Sequence, residues 1–301
     1  MKKIVVIGSL NQDCVVDLDH IPDVGETILA QNLQYHFGGK GANQAYALGK
    51  FGANVTMLGA VGDDKAGSDM LQQLKSIGVS VDYIKSCPDI CTGLAWIMVN
   101  SKGDNSIVVI PGANMCVDIS YIDLHMSVIE NADIIVIQLE IPLNTVKYVA
   151  EAAKKFNKYV ILDPAPAISN IPEELLRNVD LIKPNETEIS IITGANHDDY
   201  EKMAVWLKEK GVKNIVLSLG EKGALLYPQY GGRKLFKAYK ASAVDTTAAG
   251  DSFLAAIAYG LAQGQALDDS IDLAQKIASV VVSRRGAQSA IPSIDELARL
   301  Y

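Results

Sequence analysis

From residue 118 onward the chain alternates short β-branched apolar runs with helix-length stretches, and that alternation leaves few folds open. Strands are predicted at 133–138, 159–162, 180–182 and 214–218, with helices at 118–130, 143–156, 186–193 and 198–210. A strand that returns through a helix to lie beside its predecessor runs parallel to it. Repeated βα units therefore imply a parallel sheet flanked by helices. The earlier chain fits the same rhythm, with a strand over 3–9, a helix over 41–52, a strand over 54–59 and a helix over 65–77. A late hairpin is predicted over 223–227 and 234–238, followed by helices near 248–263, 267–284 and 293–300.

Two stretches break the rhythm. Residues between Cys14 and Phe37 alternate loosely around turn signals at Pro22-Asp23 and Gly25, and residues 94–100 and 106–110 read as strands joined by a hairpin-like turn. Neither buries a face well alone, so segments 11–37 and 94–110 are expected to pair as a small accessory sheet on one main domain spanning 1–301. A chain of 301 residues is ample for such a core. Its formal net charge of −8 gives no electrostatic footprint for nucleic acid. The apolar start ends by Leu10 without a small-residue cleavage site, and no apolar run is long enough to span a bilayer. Cys14, Cys87, Cys91 and Cys116 form no C-x-x-C pair and read as reduced thiols of a cytoplasmic protein. His20, His36, His125 and His197 show no metal or triad spacing, and Trp96 and Trp206 read as core or interface residues.

Chemistry concentrates where strands end. Asp245-Thr246-Thr247-Ala248-Ala249-Gly250-Asp251 runs straight into an apolar helix. A helix start presents unpaired N–H groups with the helix dipole behind them, which attracts a phosphate. Asp251 in the same turn can take a proton from a hydroxyl. Gly38-Gly39-Lys40-Gly41-Ala42-Asn43 opens another helix and lets backbone approach a ligand, but it is not a Walker A loop. Asn11 and Asp13, two apart after the first strand, face the same way; they suit a hydroxyl-rich ligand or simple Asx turns about equally. Glu140 ends an apolar strand and needs a partner. Asp163-Pro164-Ala165-Pro166 also follows a strand. Asn185 and Glu188, three apart, fit a capping box and equally a phosphate–metal cluster. The turn Ser218-Leu219-Gly220-Glu221-Lys222-Gly223 reads first as a hairpin and second as a nucleotide contact.

Taken in order, these segments resemble the ribokinase family of sugar kinases, of the phosphofructokinase-B type, from about residue 3 to residue 300. The Gly38–Asn43 cluster and Asp245-Thr246 with Ala248–Asp251 carry the resemblance. It implies a three-layer α/β/α fold with a mostly parallel sheet and a small β lid that often pairs with a second subunit. It also implies transfer of the γ-phosphoryl of ATP to the 5-hydroxyl of D-ribose, with Asp251 as base and the N–H groups of Ala249, Gly250 and Asp251 as anion hole. Asn11, Asp13, Gly39, Lys40, Asn43 and Glu140 would hold the sugar. Asn185, Ser218 to Gly223 and Gln275 would line the nucleotide site, with Glu188 near Mg²⁺. A monovalent cation, usually K⁺, would be held by Asp245, Thr247, Val281, Arg284, Gly286 and Ala290; Ala290 stands where a serine is common, with Ser289 adjacent. Relatives acting on deoxyribose, fructose or a nucleoside are the alternatives within the class. A non-catalytic sensor is the alternative outside it, and the absent dinucleotide fingerprint speaks against an oxidoreductase.

Overall fold

The computed structural model of the chain describes residues 1–195 and 199–301. Its strands are β1 (Lys3–Ile7), β2 (Asn11–Asp17), β3 (Asn32–Gly38), β4 (Asn54–Leu58), β5 (Ala60–Gly62), β6 (Lys85–Cys87), β7 (Gly93–Val99), β8 (Asn105–Ile110), β9 (Ile134–Ile137), β10 (Tyr159–Leu162), β11 (Leu181–Ile182), β12 (Asn214–Ser218), β13 (Ala224–Tyr227) and β14 (Lys234–Phe236). Its helices are α1 (Lys40–Lys50), α2 (Lys65–Ser76), α3 (Ile119–Leu124), α4 (Met126–Glu130), α5 (Leu143–Lys155), α6 (Glu173–Leu176), α7 (Glu186–Thr193), α8 (Tyr200–Glu209), α9 (Ala249–Ala262), α10 (Leu267–Val281) and α11 (Ile294–Leu297).

The central sheet has the order β14-β13-β12-β11-β10-β9-β1-β4, parallel from β12 to β4 and antiparallel at the β12-β13-β14 edge. Its apolar runs are continuous because both faces are covered. Ile4 and Val6 of β1 enter one core while Val5 and Ile7 enter the other, and Ile134/Val136 against Ile135/Ile137 of β9 divide the same way. Helices α1, α2, α9 and α10 cover the first face, and α3 to α8 the second, giving the three-layer α/β/α fold. No helix among the described residues is long and apolar enough to cross a membrane.

The lid is a separate sheet, β3-β2-β7-β8, in which β2 pairs with β7 in parallel and each carries an antiparallel partner. Segments distant in sequence thus meet in one sheet, and its surface leaves Tyr35, Trp96 and the run Ile107–Ile110 exposed.

The expected helix over 118–130 is broken at His125 into α3 and α4. The last helix is shorter than expected, and β5 and β6 were not anticipated, being three residues each and defined only by pairing with each other. The expected helix over 198–210 is described from Tyr200, and residue 198 and His197 lie outside the described residues.

Candidate active site

The C-terminal ends of β1, β9, β10, β11 and β12 and the N-termini of α1, α7 and α9 converge on one edge of the sheet, where open α/β sheets place their ligands. At the start of α9 the chain turns through Ala248, whose φ of 59° is left-handed. The Ala249 N–H donates to Thr246 O at 3.2 Å, and no described protein acceptor takes the N–H of Gly250 or Asp251. This narrows the open donors from the expected three to two. Lys183 reaches the same spot: a Cβ on Gly250 would lie 3.2 Å from its Nζ. The Lys183 ammonium pairs with Asp163 Oδ1 at 3.4 Å, both side chains being buried. Removing one partner of such a pair costs about 3–5 kcal/mol.

The Asp251 carboxylate accepts from Asn43 Nδ2 at 2.9 Å and from Gln44 Nε2 at 3.1 Å. Burial pushes its carboxyl above the usual carboxylate range; the Lys40 ammonium opposes this most, Asp163 adds to it, and Asn43 and Lys183 oppose it. For Lys40, burial works against the charge, but the carboxylates of Asp251, Asp163 and Glu140 outweigh it and hold the ammonium protonated.

Around this point the predicted sugar residues come together. Asn11 is buried and its Oδ1 accepts from Asn114 Nδ2 at 2.7 Å, while Asn114 Oδ1 accepts from Leu10 N. Glu140 finds the partners its position demands, accepting from the Ser9 hydroxyl and from Lys40 N. Burial, then the neighbouring Glu140 and Asp251 carboxylates, push Asp13 up to about 7. The glycines make room: a Cβ on Gly38 would lie 2.1 Å from Asp13 Oδ2, and Gly39 combines φ 84° with an approach of 2.7 Å to Asn11 N.

A cavity of about 810 Å³ opens beside these groups, lined by Lys40, Asp163, Lys183, Asn185, Glu188, Ser218, Gly220, Glu221, Gly223, Thr246, Ala249 to Asp251 and Gln275. Asn185 and Glu188 form a full capping box on α7 and also face the cavity, so the two readings of that motif coexist. Burial raises the Glu188 carboxyl, with Lys183 opposing and Asp163 adding. The β12–β13 turn is both hairpin and lining, but Leu219 turns into the core and Lys222 lies 3.9 Å from Glu186, outside the lining.

A profile of the pfkB family carbohydrate kinases matches residues 1–294. The chain belongs to the pfkB family of carbohydrate kinases. This pfkB-family chain is 36% identical over 298 residues to the ribokinase of Haemophilus influenzae, covering 98% of this chain and 97% of that protein. It is also 36% identical over 296 residues to the deoxyribokinase of Salmonella typhimurium, covering 97% of this chain and 96% of that one. The structure of Arabidopsis thaliana ribokinase complexed with ribose and ATP matches it with a TM-score of 0.92 at 35% identity, covering 99% and 98% of the two chains.

In this pfkB-family fold the segment expected to hold a monovalent cation is drawn together by Asp245. Its Oδ1 accepts from Thr247 N and Oγ1, and its Oδ2 accepts from Gly286 N at 2.9 Å. Ala290 O accepts from Arg284 at 3.5 Å, Val281 O accepts from Arg284 N, and the Ser289 hydroxyl is turned onto Arg285 O. Among the described residues no three His, Cys, Asp or Glu side chains cluster as a metal site of their own. Several site groups have no role assigned from the sequence: Ser9, Gln44, Asn114, Gln138, Lys183 and Gln288 are single polar residues whose partners lie far along the chain. Only Gln138 and Lys183, each directly following an apolar strand, could have been suspected.

Proposed function

We propose that this carbohydrate kinase transfers the γ-phosphoryl of ATP to the 5-hydroxyl of D-ribose. The observation that carries the reading is the place of Asp251. Its carboxylate is fastened to Asn43 among the polar groups suited to a sugar, while its own backbone N–H opens the cavity suited to phosphates. The likeness to the Arabidopsis ribokinase complexed with ribose and ATP supports both ligands.

In this mechanism Asn11, Asp13, Asn43 and Glu140 hold the sugar so that one hydroxyl faces Asp251. As that oxygen forms its bond to the γ-phosphorus, its proton passes to the Asp251 carboxylate. The bond from the γ-phosphorus to the bridging oxygen breaks, and ADP leaves with the electron pair. The free N–H groups of Gly250 and Asp251 stabilise the charge that develops, which is the main demand of phosphoryl transfer. Asp251 needs no elevated basicity, because the hydroxyl becomes acidic only as the bond forms.

The residues fit a magnesium ion brought by ATP: Glu188 is a half-buried carboxyl facing the cavity, and Asp163 Oδ1 accepts no hydrogen bond. Glu188 would hold Mg²⁺ through water, and the ion would neutralise charge on the phosphate oxygens. The oxygen-rich set of Asp245, Thr247, Val281, Arg284, Gly286 and Ala290 fits a monovalent cation such as K⁺, which would stiffen the turn before Asp251. The exposed apolar run on β8 supports pairing of two lids in a homodimer, and a cytoplasmic setting supplies the ATP.

Similarity to a deoxyribokinase favours a second reading, 2-deoxy-D-ribose as acceptor. An acceptor panel at fixed Mg-ATP decides: D-ribose, 2-deoxy-D-ribose, D-fructose and a nucleoside, each with K⁺ and then Na⁺. The highest kcat/KM is expected for D-ribose with K⁺. A higher value for another acceptor replaces the substrate, and no phosphorylation of any removes the reading.

A further inference from the structure

An ionised carboxylate can only accept hydrogen bonds. Both oxygens of Asp251 are taken by amides from adjacent positions of α1, Asn43 on Oδ2 and Gln44 on Oδ1. Each amide is oriented in turn by a glutamine from elsewhere. Gln288 Nε2 donates to Asn43 Oδ1 at 3.1 Å, and Gln138 Nε2 donates to Gln44 Oε1 at 2.7 Å. Behind Gln288, Gln73 of α2 donates to its Oε1 at 2.7 Å. Gln44 also donates to Asp163 Oδ2 at 2.9 Å. The two ends of an amide are alike in shape. The direction is set by charge: Asp251 demands an NH₂ group, so Asn43 turns its oxygen to Gln288, and Gln288 turns its own to Gln73. The donors of the relay run toward the Asp251 carboxylate, with Gln44 reaching Asp163 as well, and Gln44, Gln138 and Gln288 are all buried.

We infer that Gln288 and Gln138 are positioning residues for phosphoryl transfer, locking the Asn43 and Gln44 amides that fix the plane of the Asp251 carboxylate. The inference rests on Asp251 acting as the base, as proposed above. It also ties the 286–290 segment to the base through two hydrogen bonds, Gln288 to Asn43 and Asn43 to Asp251. Without Gln288, the Asn43 carbonyl oxygen loses its donor, and the amide is free to swing out of line with the carboxylate. That removes a donor from the ionised form and disfavours it. The other charged groups facing Asp251 are Lys40 of α1, Asp163 after β10, Lys183 after β11 and Asp13 of β2, and the substitution leaves them in place.

The test compares wild type with Gln288→Leu and the milder Gln73→Leu on the full chain. In Gln288→Leu, kcat should fall by about tenfold. The acid limb of the kcat–pH profile should move to higher pH, and KM for ATP should not change. Independently of turnover, the Asp251 carboxyl resonance, assigned by its loss in Asp251→Asn, should titrate at higher pH by ¹³C NMR. Gln73→Leu should move the same readouts in the same direction by less, and it carries the test if Gln288→Leu does not fold. A moved titration in a protein that phosphorylates no sugar supports the relay and removes the sugar-kinase reading. An active enzyme whose acid limb and titration stay put overturns the relay, even if kcat falls, because Gln288 is then structural only.

Discussion

Asp251 separates two regions built on opposite plans. On the acceptor side, polar groups are already bound to the protein: Asn11 to Asn114, Glu140 to Ser9 and Lys40, and Asn43 to Gln288 and Asp251. On the cavity side, the N–H groups of Gly250 and Asp251 are left open, and Asp163 Oδ1 has only its ion pair with Lys183. The first plan fixes geometry before the ligand arrives, so little ordering remains at the reacting centre. The second keeps two backbone donors free, and on the proposed function a phosphate chain supplies their partners.

The sharpest way to break this contrast is to remove the group on the boundary. Asp251→Ala should lower kcat by about 10²–10⁴-fold, the usual worth of a positioned general base. ATP affinity by calorimetry should stay near wild type, since the cavity keeps its other walls. Comparable losses in kcat and ATP affinity would show that the two sides are not separate. A smaller effect is expected from Gly39→Ala, which must hold a side chain at φ 84° with its Cβ 2.7 Å from Asn11 N. Backbone strain of about 1–3 kcal/mol should displace Asn11 and raise acceptor KM roughly 10–100-fold, with KM for ATP unchanged. Equal rises in both constants would contradict a preformed acceptor side.

The last effect concerns stability and leaves turnover aside. Asp13 is pushed from 3.8 up to about 7 in the fold, so the folded state keeps a proton that the unfolded chain releases. The stabilisation is complete below about pH 4, declines as pH rises toward 7, and changes no further above that. Asp13→Asn should flatten this slope, by an amount on the order of a few kcal/mol. Urea unfolding across that range checks it, and identical slopes would place Asp13 in a more solvated setting than the structure gives it.

The fold was legible where a pattern is repeated or local. Alternating βα units announce the sheet, and the Gly38–Asn43 and Ala248–Asp251 turns announce two helix starts whose backbone chemistry depends on the turn itself. The residues behind them were not legible. Asn114 and Gln288 are single polar residues outside any motif in sequence, and their roles exist only through contacts formed when distant segments fold together. The break at His125 was hidden for a related reason: the stretch is helical in pattern on both sides, and the ring's packing against Tyr83 and Tyr121 belongs to tertiary structure. The short β5 and β6 hold only as a pair, which no window along the chain can display.

Gln138 also constrains how this sequence can drift. A Cβ on Gly8 would stand 1.8 Å from Gln138 Oε1 and 3.1 Å from Gly41 Cα. Any single replacement at position 8 therefore meets two obstacles at once. A lineage exploring one substitution at a time must first change position 138, giving up the amide that orients Gln44, before position 8 can vary. The glycine after the first strand and the glutamine after β9 are thus a joint choice, and a library built to alter either should randomise both together.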